Sequence, residues 1–530
     1  MTSSLSPEKE AQRRRTFAII SHPDAGKTTL TEKLLLYGGA LGREAGTVKA
    51  RGDRRSATSD WMELEQQRGI SITSTVLQFP YRDCVVNLLD TPGHRDFSED
   101  TYRVLTACDA AVMVLDAAKG IESQTQKLFE VCRDRGLPIL TYVNKWDRPG
   151  LSPLELIDDI EATLSLMCTP ITWPVGIAGD FRGVVDRRSG DFIRFTRTAR
   201  GATQAHEEVV DADRAASEEG LAWSESLDEL ELISGAVHDQ EMFLEGETTP
   251  MFFGSALTNF GVRLLLDSVI DNVPSPSARA DAEGTERPLD SPFSGFVFKV
   301  QANMDRAHRD RLAFLRVCSG RFERGMVVTH ARTGKPFATK YAHSVFGQER
   351  ETLEEAFPGD VVGFVNANDL RVGDTLFVDQ PVTFPEIPSF APEFFAIART
   401  TDVGRSKQFR SGIQQLDEEG VVQILRDLDF GDQAPVMAAV GALQFEVAKH
   451  RLENEFGAPV ELTMTGYKVA RRTDAASAPA LRAMQGVDVL QRRDGALLAV
   501  FESTYWLDRL LSEQPELTLE RLVAEGELRQ

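Results

Sequence analysis

The octapeptide Ser21-His22-Pro23-Asp24-Ala25-Gly26-Lys27-Thr28 has the spacing of a phosphate-binding loop, G-x-x-x-x-G-K-[ST], with Ser21 in place of the first glycine. Where such a loop opens a helix, successive backbone N–H groups converge on anionic oxygens. Gly26 then permits close backbone approach, Lys27 neutralises β- and γ-phosphates, and the Thr28 hydroxyl can hold Mg²⁺. A second element, Asp90-Thr91-Pro92-Gly93-His94, could supply a carboxylate to Mg²⁺-bound water from Asp90 and an N–H to a γ-phosphate from Gly93. A third is Asn144-Lys145-Trp146-Asp147. The Asp147 carboxylate can accept hydrogen bonds from both N1–H and the exocyclic amine of guanine, a donor pair that adenine lacks, and this disfavours an ATP-dependent enzyme. Asn144 would tie the nucleotide loops together, and the Lys145 stem would cover the base. Fourth, Ser255-Ala256-Leu257 would offer backbone N–H groups to the guanine oxygen.

Each motif is weak alone, and their joint placement carries the argument. The runs 16–21, 85–90, 111–116 and 138–144 are short, apolar and rich in β-branched residues, as buried strands are. Helical patterns at 28–36, 97–107 and 123–135 alternate with them, which predicts a mainly parallel sheet with helices on both faces. All four motifs then fall at strand C-terminal ends, the edge where such sheets bind ligands. The expected ligand is a guanine nucleotide, GTP or GDP, with Mg²⁺. Between the first two motifs, the polar stretch 38–75 suits a switch that orders around a γ-phosphate and its metal.

Beyond this region the pattern changes twice. Residues 206–247 hold fourteen Asp or Glu against one Arg and read as an acidic insertion with a solvated helical face, peripheral to the sheet. The core pattern resumes at 250–256 and closes with an amphipathic helix at 262–273, so the first domain spans 1–275. A Pro- and Ser-rich linker, 276–292, leads to short strands split by Gly-containing turns over 293–384, expected to form a β-barrel. After a second linker at 385–392, residues 393–530 open with a β-α-β-β-α-β order, read as an α+β ferredoxin-like unit with a C-terminal extension. The whole is a multidomain α/β chain.

Composition narrows the classes further. With 42% apolar and 26% charged residues the 530-residue chain is of ordinary globular type, and no apolar run is long enough to span a bilayer. A net charge of −22 argues against a sequence-independent nucleic-acid coat, and no DNA partner is expected. The five cysteines, Cys84, Cys108, Cys132, Cys168 and Cys318, include no close-spaced pair. They point to core thiols and a reduced, cytoplasmic setting rather than disulfides or zinc. A monomer is expected.

The stretches SHPDAGKTTLTEKLL, SDWMELEQQRGISITS, NLLDTPGHRDFSEDTYRVLTACDAAVMVLD and NKWDRPG, with GFVFKVQANMDRAHRDRLAFLRVCSGRFERGM, PGDVVG and Leu443-Gln444-Phe445-Glu446-Val447 further on, resemble the translational GTPases. The nearest resemblance is to the bacterial peptide chain release factor 3 family, in which Ser21 is the usual residue. The resemblance implies a ribosome-dependent GTPase that promotes dissociation of class I release factors after peptide release. It implies that Asp24 neighbours the phosphates, that Ser71 is the switch ligand of Mg²⁺, and that His94 positions the attacking water, flanked by Pro23 and Ile70. It also implies that large-subunit RNA holds His94 in place. Phosphoryl transfer through a loose transition state needs mainly water alignment and charge neutralisation. No glutamine follows Gly93, so His94 is the orienting group at hand. With no obvious arginine finger, a partner that completes the site could be worth roughly 10³–10⁵ in rate. Two other readings share these motifs: an elongation-factor-G-like or ribosome-protection GTPase, and a nucleotide-gated ribosome-binding switch with little useful hydrolysis. The former carry further domains after the ferredoxin-like unit, where this chain has only the residues beyond about 465.

Overall fold

The buried runs read from the sequence lie side by side in one sheet. Its strands are β1 (Arg14–Ser21), β2 (Thr75–Tyr81), β3 (Cys84–Asp90), β4 (Ala110–Asp116), β5 (Ile139–Asn144), β6 (Met167–Pro170) and a later strand, Thr248–Phe253. The computed structural model describes residues 6–40, 71–196, 204–302, 311–346, 349–387, 390–427 and 431–522. In the order β2-β3-β1-β4-β5-(Thr248–Phe253)-β6, every pairing is parallel except β2 with β3. Strand β1 sits between β3 and β4, so the chain leaves it in one direction and returns on the other side. That reversal puts the ligand crevice at the C-terminal end of β1, where Ser21 opens the phosphate loop. Helices Lys27–Tyr37 and Val262–Asn272 pack together, as do Ser123–Asp134 and Pro153–Leu164. The latter opens with a capping box in which Ser152 and Glu155 exchange hydrogen bonds over Pro153 at the first helical position.

Residues 172–210 add four antiparallel strands that the sequence pattern did not suggest, Thr172–Val175, Gly183–Asp186, Phe192–Thr196 and His206–Val210. The acidic stretch continues from this sheet as helices Ala212–Glu219, Leu221–Leu232 and Gln240–Leu244. Their outward faces carry most of the acidic residues together with exposed Leu221, Leu227, Leu232 and Leu244, while Trp223 and Phe243 are buried inward. The Trp173 indole N–H donates to Glu229 at 3.0 Å, anchoring the second of these helices to the added sheet.

The β-domain has its own core around Val297, Leu315, Phe322, Val362 and Phe364. It is fastened to the first domain by buried polar contacts. The Arg316 guanidinium grips Asp109 at 2.8 and 2.9 Å and donates to the Ala107 carbonyl at 2.7 Å. Arg14 lies against Asp360 at 3.2 Å. The Lys299 ammonium reaches Ser74 Oγ at 2.8 Å, at the end of the switch stretch.

In the third domain the strands run Val460–Met464, Phe394–Thr400, Gly431–Ala439, Gln423–Asp427 across the sheet, which is the 4-1-3-2 order of a ferredoxin-like unit. Helices Ser406–Glu419 and Leu443–Asn454 complete it. The C-terminal extension beyond 465 lengthens the same sheet with Val487–Arg492, Leu497–Phe501 and Val469–Thr473. Helix Thr504–Glu513 follows, held by buried Leu507 and Leu510, and beyond it Glu520 pairs with Arg472 of strand Val469–Thr473. All five cysteines are free thiols, and only Cys84 is not fully buried. Burial pushes the Cys132 thiol up to about 12, so it is inert at neutral pH. No helix among the described residues is long and apolar enough to cross a membrane.

Candidate functional site

A cavity of about 330 Å³ opens at the C-terminal end of β1, lined by Ser21, His22, Pro23, Asp24, Gly26, Lys27, Thr28, Thr29, Ser71, Gly93, His94, Lys145 and Arg148. Residues from the first, second and third motifs and from the switch stretch therefore meet around one space. Gly26 caps helix Lys27–Tyr37 at φ +97°, in the left-handed region. A Cβ there would stand 2.3 Å from the Asn144 amide nitrogen, so glycine is required on two counts. Lys27 is buried, and its ammonium lies 3.1 Å from where a Cβ on Gly93 would be, which puts the lysine beside the second motif. Pro23 flanks the same glycine, its Cα 3.5 Å from that point.

Asn144 ends β5 and is the tie between loops. Its amide donates to the Ala25 carbonyl at 2.8 Å, and its oxygen accepts the Ala256 N–H at 2.9 Å. Lys145 follows in the left-handed region at φ +66°, and so does Asp24 at φ +67°. Strain of this kind, about 1–3 kcal/mol per residue, persists where surrounding contacts dictate it, and often at functional sites. Here the Lys145 ammonium binds the Asp24 carbonyl and the Asp116 carboxylate, the latter at 2.8 Å. Burial alone would raise the Asp116 carboxyl, yet the Lys145 hydrogen bond and the Ala118 N–H outweigh it and hold the group below its ordinary range. Trp146 is fully buried edge-on against Phe253, at 5.0 Å between ring centres, and so anchors the loop from beneath rather than facing the cavity. Asp147 is half-buried on the same loop.

The fourth motif is used differently from the expectation. Besides the Ala256 N–H held by Asn144, the Ser255 N–H donates to the Phe260 carbonyl at 3.0 Å. Of the trio, these bonds leave the Leu257 N–H for a ligand.

On the second motif, Asp90 is buried at the end of β3, and the Thr91 hydroxyl donates to the Ile19 carbonyl of β1 at 2.7 Å. Neither these two nor Pro92 lines the cavity, so the motif reaches it through Gly93 and His94. The His94 Nδ1 accepts the Asp96 N–H at 3.3 Å, and its ring meets Phe97 edge-on at 6.3 Å. Thr28 Oγ1 and Ser71 Oγ stand 3.3 Å apart. Adjacent ligands of an octahedral Mg²⁺, each about 2.1 Å from the metal, would be about 3 Å apart, so the hydroxyl pair fits such an ion. Ile70 lies outside the described residues, as does most of the switch stretch.

Three contributors escaped the motif reading. Asp116, the anchor of Lys145, ends a predicted strand at the ligand edge, and that position was a signal. Glu122 holds His22 Nε2 at 3.1 Å and Arg148 lines the cavity, and no local pattern marked either.

Comparison with known proteins places the three domains in order. The elongation factor Tu GTP binding domain family matches residues 12–275, elongation factor G domain 2 matches 292–379, and the class II release factor RF3 C-terminal domain matches 384–510. A peptide chain release factor 3 of Microcystis aeruginosa is 49% identical, covering 99% of each chain. One from a Synechocystis species is 54% identical over 87% of this chain and 86% of its own. A crystal structure from Thermus thermophilus, at 24% identity and a TM-score of 0.68 over 92% of this chain and 72% of that one, shares the fold.

Proposed function

Because the chain belongs to the peptide chain release factor 3 family, we propose that its cavity binds GTP and hydrolyses it on the ribosome to drive class I release factors off after peptide release. The chain is a GTPase of translation termination. The observation that carries the site assignment is the pair of Asn144 bonds, which locks the phosphate loop, the third motif and the fourth into one body.

In this reading the loop Ser21–Thr28 wraps the phosphates, with Lys27 against the β- and γ-groups and the Gly93 N–H beside it. Mg²⁺, when bound, neutralises phosphate charge; Thr28 and Ser71 would hold it directly and Asp90 through water. Asp147 takes the guanine N1–H and amine, the Lys145 stem covers the base, and Leu257 offers its N–H to the guanine oxygen. His94 orients the attacking water. Its ring nitrogen Nδ1 is engaged by Asp96, leaving Nε2 for that task. Proximity and alignment of this kind suit phosphoryl transfer, in which the protein does little covalent chemistry.

The test is GTP turnover by the full chain with ribosomes alone, with ribosomes carrying a labelled class I release factor, and without ribosomes. Ribosomes should accelerate turnover strongly, and the labelled factor should leave only when GTP is present. Departure at the same rate with GDP or without nucleotide would refute the reading.

A further inference from the structure

We infer that Asp96 is a positioning residue for hydrolysis: seated in a socket of the third domain, it holds His94 and so makes turnover depend on how that domain is docked. The inference rests on the reading of His94 as the group that orients water. Asp96 follows His94 by two residues in a short helical turn, Arg95–Phe97. It meets His94 Nδ1 twice, through its backbone N–H at 3.3 Å and its carboxylate Oδ1 at 3.4 Å. The N–H suits an unprotonated Nδ1 and the carboxylate suits a protonated one. The ring is thus held in one orientation in either state, with Nε2 left over on the residue that lines the cavity.

The other carboxylate oxygen looks away from the site. Asp96 Oδ2 accepts the Leu443 N–H at 2.7 Å, from the first turn of helix Leu443–Asn454 in the third domain. First-turn N–H groups lack partners within their helix, and the helix dipole there favours a carboxylate. Gly441 completes the socket, because a Cβ on it would stand 1.9 Å from Asp96 Cγ and 2.3 Å from Oδ1. Around this contact Ile72, Phe97 and Val447 form a small apolar cluster, with Val421 and Leu443 packed on it. The switch stretch, the second motif and the third domain thus share one buried junction. Its carboxylate stays ionised there: burial raises the Asp96 carboxyl, and His94 and the Leu443 N–H more than offset that. Arg95, mostly exposed, adds a weaker contact at 3.7 Å.

Undocking of the third domain removes the Leu443 donor and uncovers Phe97, leaving the turn that presents His94 without its support. A substitution on either side of the junction should therefore act as the same lesion. Asp96→Ala and Gly441→Ala are each expected to lower kcat for ribosome-stimulated GTP hydrolysis about ten- to a hundredfold. The KM for ribosomes and the affinity for GTP should stay within about twofold, since neither residue touches nucleotide. The double variant should be no slower than the slower single one, as residues acting through one contact are not additive. Full kcat in both single variants, a loss confined to KM, or additive losses would overturn the inference. His94→Ala, run beside them, separates the two levels. Collapse of turnover in that variant with full activity in Asp96→Ala removes Asp96 alone, whereas undiminished turnover in His94→Ala removes the reading beneath it as well.

Discussion

Replacing Asn144 by alanine takes away the tie between three loops without touching any group assigned to the phosphates or to guanine. Two buried backbone groups lose their partners, the Ala25 carbonyl and the Ala256 N–H, in residues almost wholly shielded from solvent. An unsatisfied buried polar group costs about 1–3 kcal/mol, so the variant forfeits about 2–6 kcal/mol of preference for the assembled site. If about 3 kcal/mol of that falls on the arrangement that grips nucleotide, GDP and GTP bind about a hundredfold more weakly. Equilibrium titration with a fluorescent GDP, in the absence of ribosomes, reads this directly. Thermal unfolding of the nucleotide-free protein reads the part that falls on the fold. Gly26→Ala should give a loss at least as large, because its Cβ collides with the same amide and its backbone sits at φ +97°. A dissociation constant for Asn144→Ala within about threefold of the parent, with unchanged unfolding, would refute the argument that these loops act as one body.

Further consequences can be checked separately. Asp147→Asn should shift preference from guanine to xanthine nucleotides, because an amide can donate to the xanthine oxygen where the carboxylate accepted from the guanine amine; competition between GDP and XDP decides it. Arg316→Ala leaves the largely shielded Asp109 carboxylate without its partner, a cost of up to about 3 kcal/mol at a site that solvent partly reaches, and should expose the junction between the first domain and the β-barrel to limited proteolysis. Burial pushes the Asp417 carboxyl up to about 6 from an unfolded value of 3.8. The folded state therefore binds that proton more tightly, and the contribution to stability is fully present below about pH 4 and lost as the pH rises through about 6. Asp417→Asn, which keeps an acceptor for the Ile424 N–H, should stabilise the third domain at pH 7.5 by up to ~3 kcal/mol and leave it little changed at pH 4, as read by hydrogen exchange in that domain.

Much of the site was legible because its chemistry is local. The loop from Ser21 to Thr28 is defined by spacing, and the part of Asn144 as a tie between loops follows from its residue type at a strand end. The ferredoxin-like order was readable for the same reason, as each strand and helix there has its own period. What escaped depends on distance or on short elements. Strands such as Thr172–Val175 and Gly183–Asp186 are four residues long, one containing Pro174 and the other opening on Gly183, and they leave no alternating pattern. Trp146 sits within a nucleotide motif yet is a core residue, a fact set by Phe253 on a distant strand. Asp96 is visible beside His94, but its partner Leu443 is 347 positions away. The residues beyond 465 make sense only as an extension of a sheet begun at Phe394.

The most direct test of the account is a structure of the full chain with a non-hydrolysable GTP analogue and Mg²⁺. The account predicts density for the base at the Asp147 carboxylate, phosphates along Ser21–Thr28 with Lys27 beside the γ-group, and a metal touching the Thr28 and Ser71 hydroxyls. A nucleotide seated elsewhere, or a base out of reach of Asp147 while the phosphates fill the loop, would contradict it.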